Sequence, residues 1–456
     1  MNTYIVVGVI LVGIVALLAT NKKLVETLKN IYKIEELRSR ILFTLGLLLI
    51  YRLGSFVTLP GVDHAILQQW TQNFASDSSS LMGLLNIFSG GAFSQASIFA
   101  LGVMPYITAS IIIQLLGIMV PYFRKMQREG ESGRRRMNQW TRFLTIAVLL
   151  LQAPAYLATQ VLSSGAVTVT GDLLGIANGQ FIVPAVVILI AGTMFIMWLG
   201  EKITDKGIGN GISLIIMIGI VARLPQSFLQ EFMFQTTGGG SIIMLLVELV
   251  FLALVFMMAI AIVQAVRKIP VQYAKRIVGN KQYGGVRQYI PLKLNAANVM
   301  PIIFAQALMF IPGLIWGGQW LDITSFWYNF TLVVLVIAFT YFYTAIIVNP
   351  QMMADDMKRN GGFIPGVKPG KSTVSYIDDI MTRITLPGSV FLAIITILPA
   401  IAMTLGITQG FAYFFGGTSL LIMVGVVLDT LKQIESYLLM RHYDGLMKTG
   451  RIQGRY

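Results

Sequence analysis

Ten apolar runs, each long enough to cross a lipid bilayer, follow one another along this chain. A membrane-spanning helix needs about 20 consecutive, mostly apolar residues. Only 12% of the 456 residues are charged, so this much apolar surface cannot be hidden inside one soluble core. The sequence therefore predicts an all-α, polytopic membrane protein, with spans at 41–59, 98–120, 143–163, 181–200, 211–224, 241–266, 294–316, 327–348, 384–406 and 417–440.

The distribution of positive charge predicts the orientation of these spans. The loops 121–142 and 267–293 each contain seven Lys and Arg residues, whereas the segments 60–97, 164–180, 317–326 and 407–416, which alternate with the basic loops along the chain, contain none. Of the 34 basic residues, 32 fall on one side by this assignment, and only Arg52 and Arg223 fall near the other. Cytoplasmic loops carry the excess of Lys and Arg, so the basic side, with the C-terminus, is predicted to be cytoplasmic.

A further apolar run, "TYIVVGVILVGIVALLAT" at 3–20, precedes the ten. No positive charge comes before it and "NKK" follows it, which is the reverse of the charge order in a signal peptide. We expect an extra N-terminal transmembrane segment within residues 1–21, with Met1 outside and Lys22 inside. A segment lying on the membrane surface, or a start codon set too far upstream, would also explain the pattern.

The second span, "GVMPYITASIIIQLLGIMVP" at 102–121, is interrupted and partly polar. Gly102 and Pro105 break its first turns, and Gln114 stands among its isoleucines. The preceding "LLNIFSGGAFSQASIF" predicts a short re-entrant helix joined by a bend to the span. Non-helical backbone at membrane depth persists only inside protein or beside a water-filled cavity. We therefore expect this span to face a cavity.

Nucleotide, metal and catalytic motifs are weak. "GKST" at 370–373 lacks the glycine that a phosphate-binding loop needs five residues earlier, where Pro365 stands. "GIGNG" at 207–211 is too short for a dinucleotide fingerprint and predicts a flexible turn that opens a span. The chain has no Cys and two His, which disfavours a metal site. We expect no cofactor and no enzyme activity.

Few ionisable residues fall within the spans. Glu248 lies about 10 Å from the external end of its span at 1.5 Å per residue, where an interfacial and a functional position fit equally well. A transporter usually places charge near the midplane of the membrane. That signal is weak in this sequence, and a secondary transporter of a small solute is kept as the alternative function.

Seven ordered motifs give the sequence a family resemblance from about Lys22 to the C-terminus. It resembles the SecY family, the channel-forming subunit of the bacterial secretory translocon, in "LRSRILFTLGLLLIYRLG", "FSGGAFSQASIFALGVMPYITASIIIQLL", "GEKITDKGIGNGIS", "RKIPVQYAKR", "YIPLKLNAANVMPIIFA", "GFIPGVKPGKST" and "FFGGTSLLIMVGVVLDTLKQIES". The resemblance implies a ten-span clamshell of two inverted, pseudo-symmetric halves around a pore that conducts unfolded proteins. The halves would be 22–240 and 241–456.

The resemblance also implies which residues form the channel. A plug over roughly 86–99 would include Asn86, Phe88, Ser89, Gly90, Gly91 and Phe93. A lateral gate between the second and seventh spans would use Asn295 and, more weakly, Gln114. Isoleucine offers no hydrogen bond and is stiff at its first torsion, and a narrow apolar constriction can gate by dewetting. The implied pore ring consists of Ile107, Ile111, Ile212, Ile216, Ile303 and Ile422.

The cytoplasmic loops predict partners. Seven cations, no acid and interleaved tyrosines make 267–293 suited to RNA or to an acidic protein. The resemblance implies docking of the SecA motor ATPase and the ribosome on Arg267, Lys268, Lys275, Arg276 and Lys368. At Lys368 the family usually has arginine, so the charge is kept and the planar fork is lost. The other implied partners are SecE-like and SecG-like small subunits, signal-sequence-bearing unfolded polypeptides, membrane lipids and accessory insertase subunits, all at the cytoplasmic (inner) membrane.

Overall fold

The architecture comes from a computed structural model, which is mainly helical. The structure describes residues 34–63, 65–67, 86, 88–166, 178–237, 241–273, 276–278, 281–283, 287–316 and 322–448. The predicted extra segment at 3–20 lies outside the described residues.

The helices of the first half of the chain are long and apolar, apart from one short amphipathic helix. They are α1 (Glu35–Gly54), α2 (Met104–Met119), α3 (Pro121–Arg128), α4 (Glu131–Tyr156), α5 (Asn178–Lys206) and α6 (Gly211–Thr237). A π-helical turn, Leu157–Leu162, continues α4.

The second half alternates long apolar helices with shorter helices and strands. In chain order these are α7 (Ile242–Gln264), β1 (Val266–Tyr273), β2 (Arg276–Val278), β3 (Lys281–Tyr283), β4 (Arg287–Lys293), α8 (Met300–Trp316), α9 (Phe326–Ile347), α10 (Pro350–Arg359), β5 (Gly362–Phe363), α11 (Lys371–Thr404), α12 (Gln409–Ala412), a 3₁₀ turn (Tyr413–Phe415) and α13 (Gly417–Lys448).

Each of the ten predicted spans coincides with one of these helices. Seven helices in the described part of the chain are long and apolar enough to cross a membrane by themselves. An eighth span results if α2 and α3, which meet at a 100° bend, are taken together. A multi-pass membrane protein is thus confirmed, and the count of ten spans stays a prediction.

Two compact units divide the chain. Unit 1 contains 1–77, 84–229 and 426–456, and unit 2 contains 78–83 and 230–425. The chain therefore passes from one unit to the other inside α6 and inside α13. In unit 1 the core packs Phe93, Ala153, Tyr156 and Leu189 among other apolar residues, so α4, α5 and the segment before α2 share one interior.

The structure corrects the prediction for the segment before α2, residues 86 and 88–103, which we call the pre-α2 segment. A short helix and a span starting near 98 were expected, but residues 89–103 form turns and α2 begins at Met104. Gly90, Gly91 and Gly102 all have positive φ angles, which a helix does not tolerate. Pro105 lies in the first turn of α2, where its missing N–H costs nothing.

The basic loop 267–293 also differs from its prediction, because it contains a sheet. β1 pairs antiparallel with β4 over seven residue pairs, and its last two residues pair with β5. Ile269 and Val271 are buried and the residues between and before them are exposed, which is the alternation of a strand with one covered face. This long connection therefore folds around a small sheet rather than as an open loop.

Candidate functional site

The pre-α2 segment is organised by hydrogen bonds to its own backbone. The carbonyl of Asn86 accepts from the backbone N–H of Gly91 at 2.8 Å, and the hydroxyl of Ser89 accepts from Phe93 N–H at 3.0 Å. The side-chain oxygen of Asn86 accepts from Ser94 N–H at 3.2 Å. These local bonds replace a helical ladder and give the segment a defined shape inside unit 1.

Two arginines from different helices hold this segment. Arg52 of α1 donates through Nη1 to the carbonyl of Gly90 at 2.8 Å. Arg223 of α6 donates through Nη2 to Asn86 Oδ1 at 2.9 Å and to Ser94 Oγ at 3.2 Å. These are the two basic residues that the sequence placed near the external side.

The acceptors of both arginines are neutral. In the part of the chain that the structure describes, neither Arg52 nor Arg223 forms an ion pair with a carboxylate. The buried Nε of Arg223 has no hydrogen-bond partner there. A desolvated guanidinium without a counter-ion is costly, so its bonds to the pre-α2 segment offset part of that cost.

Aromatic and strand-like contacts fix the other end of the segment. The hydroxyl of Tyr156 donates to the carbonyl of Phe93 at 2.7 Å, and the two rings are 4.8 Å apart. The ring of Phe99 lies between Tyr51 and Phe195, with centroids 6.0 Å from each. Backbone bonds join Ile98 N–H to the Val57 carbonyl and Leu59 N–H to the Ala96 carbonyl, both at 2.9 Å.

Glycine permits the closest approach of the segment to α6. A Cβ added at Gly219 would lie 2.9 Å from the carbonyl oxygen of Phe88 and 3.3 Å from the backbone nitrogen of Gly90. Both neighbours are backbone atoms, which cannot rotate away. Gly219 therefore shapes the surface of α6 on which the pre-α2 segment lies.

Four of the six predicted ring isoleucines belong to unit 1. Ile107 and Ile111 are four residues apart on α2, and Ile212 and Ile216 are four residues apart on α6, so each pair shares a helix face. Ile111 is 6% exposed and Ile216 is 8% exposed. The other member of each pair is half-buried.

The remaining two ring isoleucines belong to unit 2. Ile303 is half-buried in the first turn of α8, and Ile422 is 8% exposed near the beginning of α13. The assignment of all six to one ring stays a prediction that depends on the family resemblance.

The two predicted lateral-gate residues have different surroundings. Asn295 is buried just before α8, where its Nδ2 donates to the carbonyl of Asn298 at 3.1 Å and its Oδ1 has no partner. Gln114 is exposed on α2 and makes a 3.4 Å contact from Nε2 to Ser110 Oγ. A buried amide oxygen without a donor among the described residues is unusual. The assignment of Asn295 and Gln114 to a lateral gate stays a prediction.

The predicted docking cations belong to unit 2. Arg267 and Lys268 are exposed on β1, and Lys368 is exposed in the loop before α11. None of these three cations has a carboxylate partner among the described residues. Arg276 lies in β2, and Lys275 is outside the described residues.

One shared core brings the basic loop 267–293 together with a second loop, which runs from α10 to the start of α11. Ile269, Val271 and Leu292 from the first loop pack with Met357, Ile364 and other residues from the second. The sequence did not predict this core, nor the roles of Arg52, Arg223 and Tyr156. The one available signal was the isolation of Arg52 and Arg223 from the other basic residues.

Comparison with solved structures places the fold among membrane channels. The chain superposes on a structure described as that of a protein conducting channel with a TM-score of 0.58, covering 88% of this chain and 92% of that one at 18% identity. A similar match, with a TM-score of 0.56 and 17% identity, is to Sec61 in the canine ribosome-channel complex from the endoplasmic reticulum, of which 92% is covered. This chain is therefore a helical membrane protein with the fold of a polypeptide-conducting channel.

Sequence comparison gives the family. The family model for SecY matches residues 97–431. The protein translocase subunit SecY of Corynebacterium glutamicum is 41% identical over 445 residues, covering 91% of this chain and 98% of that protein. The same subunit from Mycobacterium tuberculosis is 42% identical over 438 residues, covering 91% and 97%. The chain belongs to the SecY family, which confirms the predicted resemblance.

Proposed function

We propose that this chain lets unfolded, signal-bearing polypeptides cross the cytoplasmic membrane and releases their apolar segments sideways into the lipid. The observation that carries the proposal is membership of a channel family over nearly the whole chain, at 41% identity to a named translocase subunit. The comparisons support a protein-conducting channel and give no support to a transporter of small solutes.

The proposed constriction is the ring of six isoleucines. Aliphatic side chains make no polar contact that would favour one peptide sequence over another, so a ring of them accepts diverse chains. When the ring is empty, its apolar surface resists wetting and therefore resists ions. The ring thus serves both as a seal and as a deformable collar around a passing chain.

The pre-α2 segment is proposed to be the plug. In one solved relative, with 18% identity and a TM-score of 0.55, the plug domain stabilises the closed state of the channel and maintains a membrane seal. Here the segment is held by Arg52, Arg223 and Tyr156 through bonds to neutral acceptors. Such bonds are individually modest, at about 0.5–1.5 kcal/mol and up to about 3 kcal/mol for charged donors, so the segment can leave when a polypeptide enters.

Sideways release is proposed to sort segments by partition between channel and lipid. A Leu or Ile at the centre of a membrane helix favours insertion by about 0.3–0.6 kcal/mol, whereas Lys or Asp opposes it by about 2.5–3.5 kcal/mol. A signal sequence therefore leaves the channel without a dedicated recognition site. Asn295, with Gln114 as the weaker candidate, is proposed to line the exit.

The proposed partners follow from the exposed cations and from the relatives. Arg267, Lys268 and Lys368, together with Lys275 and Arg276, are proposed to dock the SecA motor and the ribosome. Two solved relatives are ribosome-bound channels, from canine endoplasmic reticulum and from yeast. SecE-like and SecG-like subunits are proposed to lie against the lipid-facing helices, and the C-terminus is proposed to be cytoplasmic.

Cross-linking of a stalled polypeptide tests the proposed pore. The chain has no native cysteine, so single cysteines can be placed at the six ring positions and reacted with a cysteine in a partly exported, signal-bearing polypeptide. We expect efficient cross-links at the ring. The matched controls are Val187 and Leu246, which are 60% and 62% exposed on α5 and α7 and are expected to face lipid. Cross-links at the two controls with none at the ring would refute the assignment.

A further inference from the structure

Two buried carboxyl groups of unit 2 lie on the successive helices α6 and α7. Glu231 lies six residues before the end of α6 at Thr237, and Glu248 lies six residues after the start of α7 at Ile242. At about 1.5 Å of rise per residue, each is about 9 Å along its helix from that end. Their exposed fractions are 0% and 1%. The sequence had left Glu248 undecided and had not singled out Glu231.

The hydrogen bonds around the two groups are unequal. Gln235 Nε2 donates to Glu231 Oε1 at 2.9 Å and to Glu248 Oε1 at 3.0 Å. Glu231 Oε2 also accepts from the backbone N–H of Thr408 at 2.8 Å and from its hydroxyl. Among the described residues, the buried Glu248 Oε2 has no hydrogen-bond partner. The shared Gln235 Nε2 donor brings the two carboxyl groups close together.

The absence of a nearby positive charge limits the charge state of the two carboxyl groups. No Lys, Arg or His forms an ion pair with either group in the part of the chain that the structure describes. Two unpaired carboxylates side by side in an apolar interior repel strongly, so one of them is neutral.

The hydrogen-bond donors indicate which of the two carboxyl groups is neutral and whether a proton or a metal ion neutralises it. Glu231 accepts three donor groups and is suited to the charged form, whereas Glu248 accepts only one. A metal cation would need oxygen ligands, but Gln235 turns its N–H₂ group towards both carboxyls. A proton on Glu248 Oε2 makes this otherwise unpartnered oxygen a donor, and it supplies the hydrogen for a bond between the two carboxyl groups.

We propose that Glu231 and Glu248 form a buried site for one proton, which Glu248 Oε2 carries and donates to the Glu231 carboxylate. The proton comes from water and no other bond is made or broken. Together with Gln235 and Thr408, the protonated pair fastens α6 and α7 to the segment between α11 and α13. The site is independent of the proposed pore, ring and plug.

Infrared spectroscopy of the whole chain in lipid nanodiscs tests this proposal, with Glu248→Gln, Glu231→Gln and Glu201→Gln compared. We expect the C=O stretching band of a protonated carboxylic acid in the wild type, lost in Glu248→Gln and kept in Glu201→Gln, an exposed ion-paired control. The Gln at 248 still supplies an N–H donor, so the melting temperature should change by no more than about 2 °C, within about 1 kcal/mol. In Glu231→Gln, the new amide N–H₂ group meets a donor of either Gln235 or Thr408 instead of an acceptor. This substitution should lower the melting temperature by several degrees.

Several outcomes would overturn the proposal. A band that persists unchanged in Glu248→Gln means that the proton lies elsewhere. Stabilisation of the wild type by added sodium or calcium ions, lost in both variants, means a metal site instead of a proton site. If Glu231→Gln does not accumulate, the comparison of wild type with Glu248→Gln still decides.

Discussion

Arg52 and Arg223 are the two basic residues that the sequence assigns near the external side of the membrane. The basic residues of a membrane protein usually remain on the cytoplasmic side, and 32 of 34 follow that pattern by the sequence assignment. The two exceptions both bond the pre-α2 segment, and neither forms an ion pair with a carboxylate among the described residues. Departure of the segment would remove the bonds of Arg223 to Asn86 and Ser94 and would leave Arg52 with its contacts to Ser55 and Phe56, so both residues favour the bound position of the segment.

Replacing Arg223 by Gln should loosen the pre-α2 segment. The shorter side chain cannot reach Asn86 and Ser94, and loss of a charge-assisted bond costs about 1.5–3 kcal/mol. Part of that loss is offset by removal of a poorly solvated charge, so we expect about a tenfold rise in ion leak, which corresponds to about 1.4 kcal/mol. Conductance of the channel in planar bilayers measures it.

Arg142→Gln is the matched control for this experiment. Arg142 pairs with Glu201 at 2.6 Å and both side chains are partly exposed, so its contribution to stability is small. Its leak should equal that of the wild type. Equal leak in wild type and Arg223→Gln would remove the role given to Arg223.

Among the elements, α6 has the most varied part in the fold. It carries two of the proposed ring isoleucines, the close approach at Gly219, Arg223 and finally Glu231. It also passes from unit 1 to unit 2 between Leu229 and Gln230. The element that seats the pre-α2 segment therefore continues into the buried carboxyl pair of the other unit.

Gly219→Ala should displace the pre-α2 segment from α6. The new Cβ would meet the backbone oxygen of Phe88 at 2.9 Å, which is closer than real contacts allow, so the backbone of the segment must shift. Overpacking of this kind costs about 1–3 kcal/mol. We expect a cysteine placed at Ser94 to react faster with a membrane-impermeant maleimide in this variant than in the parent.

Gly46→Ala in α1 provides the control, because a Cβ there has no atom within 4 Å. The same reactivity at Ser94 is expected in Gly46→Ala and in the parent. A Gly219→Ala variant that also matched the parent would argue against tight seating of the segment on α6.

At the scale of the whole molecule, tertiary packing brings the loop 267–293 together with the loop that runs from α10 to the start of α11. β5 adds to β1, and residues from both loops share one core. This arrangement puts Arg267, Lys268 and Lys368 on one small domain of unit 2, exposed and without ion-pair partners among the described residues. Such a domain suits an acidic docking partner.

Reversing charge on this domain should weaken motor binding. Arg267→Glu combined with Lys368→Glu is expected to lower the affinity of SecA for channel-containing vesicles about tenfold or more, since like charges across an interface repel. The difference should shrink as salt is raised, because exposed charges are screened. Arg135→Glu with Arg136→Glu makes the same change in net charge on another cytoplasmic segment and should bind SecA as the parent does. Equal losses in both pairs would indicate a general charge effect rather than a docking site.

Much of the fold could be predicted from the sequence, because the length of an apolar run is a local property and the thickness of the bilayer sets the length that a span requires. All ten predicted spans coincide with helices, and ordered motifs identified the family. The sequence also marked Gly102 and Pro105 as a break, and the structure begins α2 between them. Hydrophobicity alone could not select the six ring isoleucines from the many others, so that set came only from the resemblance.

The tertiary structure determined those contacts that join residues far apart in the chain. The sequence predicted that "GIGNG" at 207–211 is a flexible turn. In the structure, Ile208 N–H donates to the Thr44 hydroxyl and Gly209 N–H donates to Gln433 Oε1 at 2.8 Å. Side chains far away in the sequence therefore hold this turn in place. Packing between distant residues also produces the bonds of Arg52 and Arg223 to the pre-α2 segment. It likewise brings Glu231 close to Glu248. Run length and charge pattern determine which segments enter the membrane and in which direction. Which polar groups find partners there depends on packing between helices far apart in the chain, and no local pattern records it.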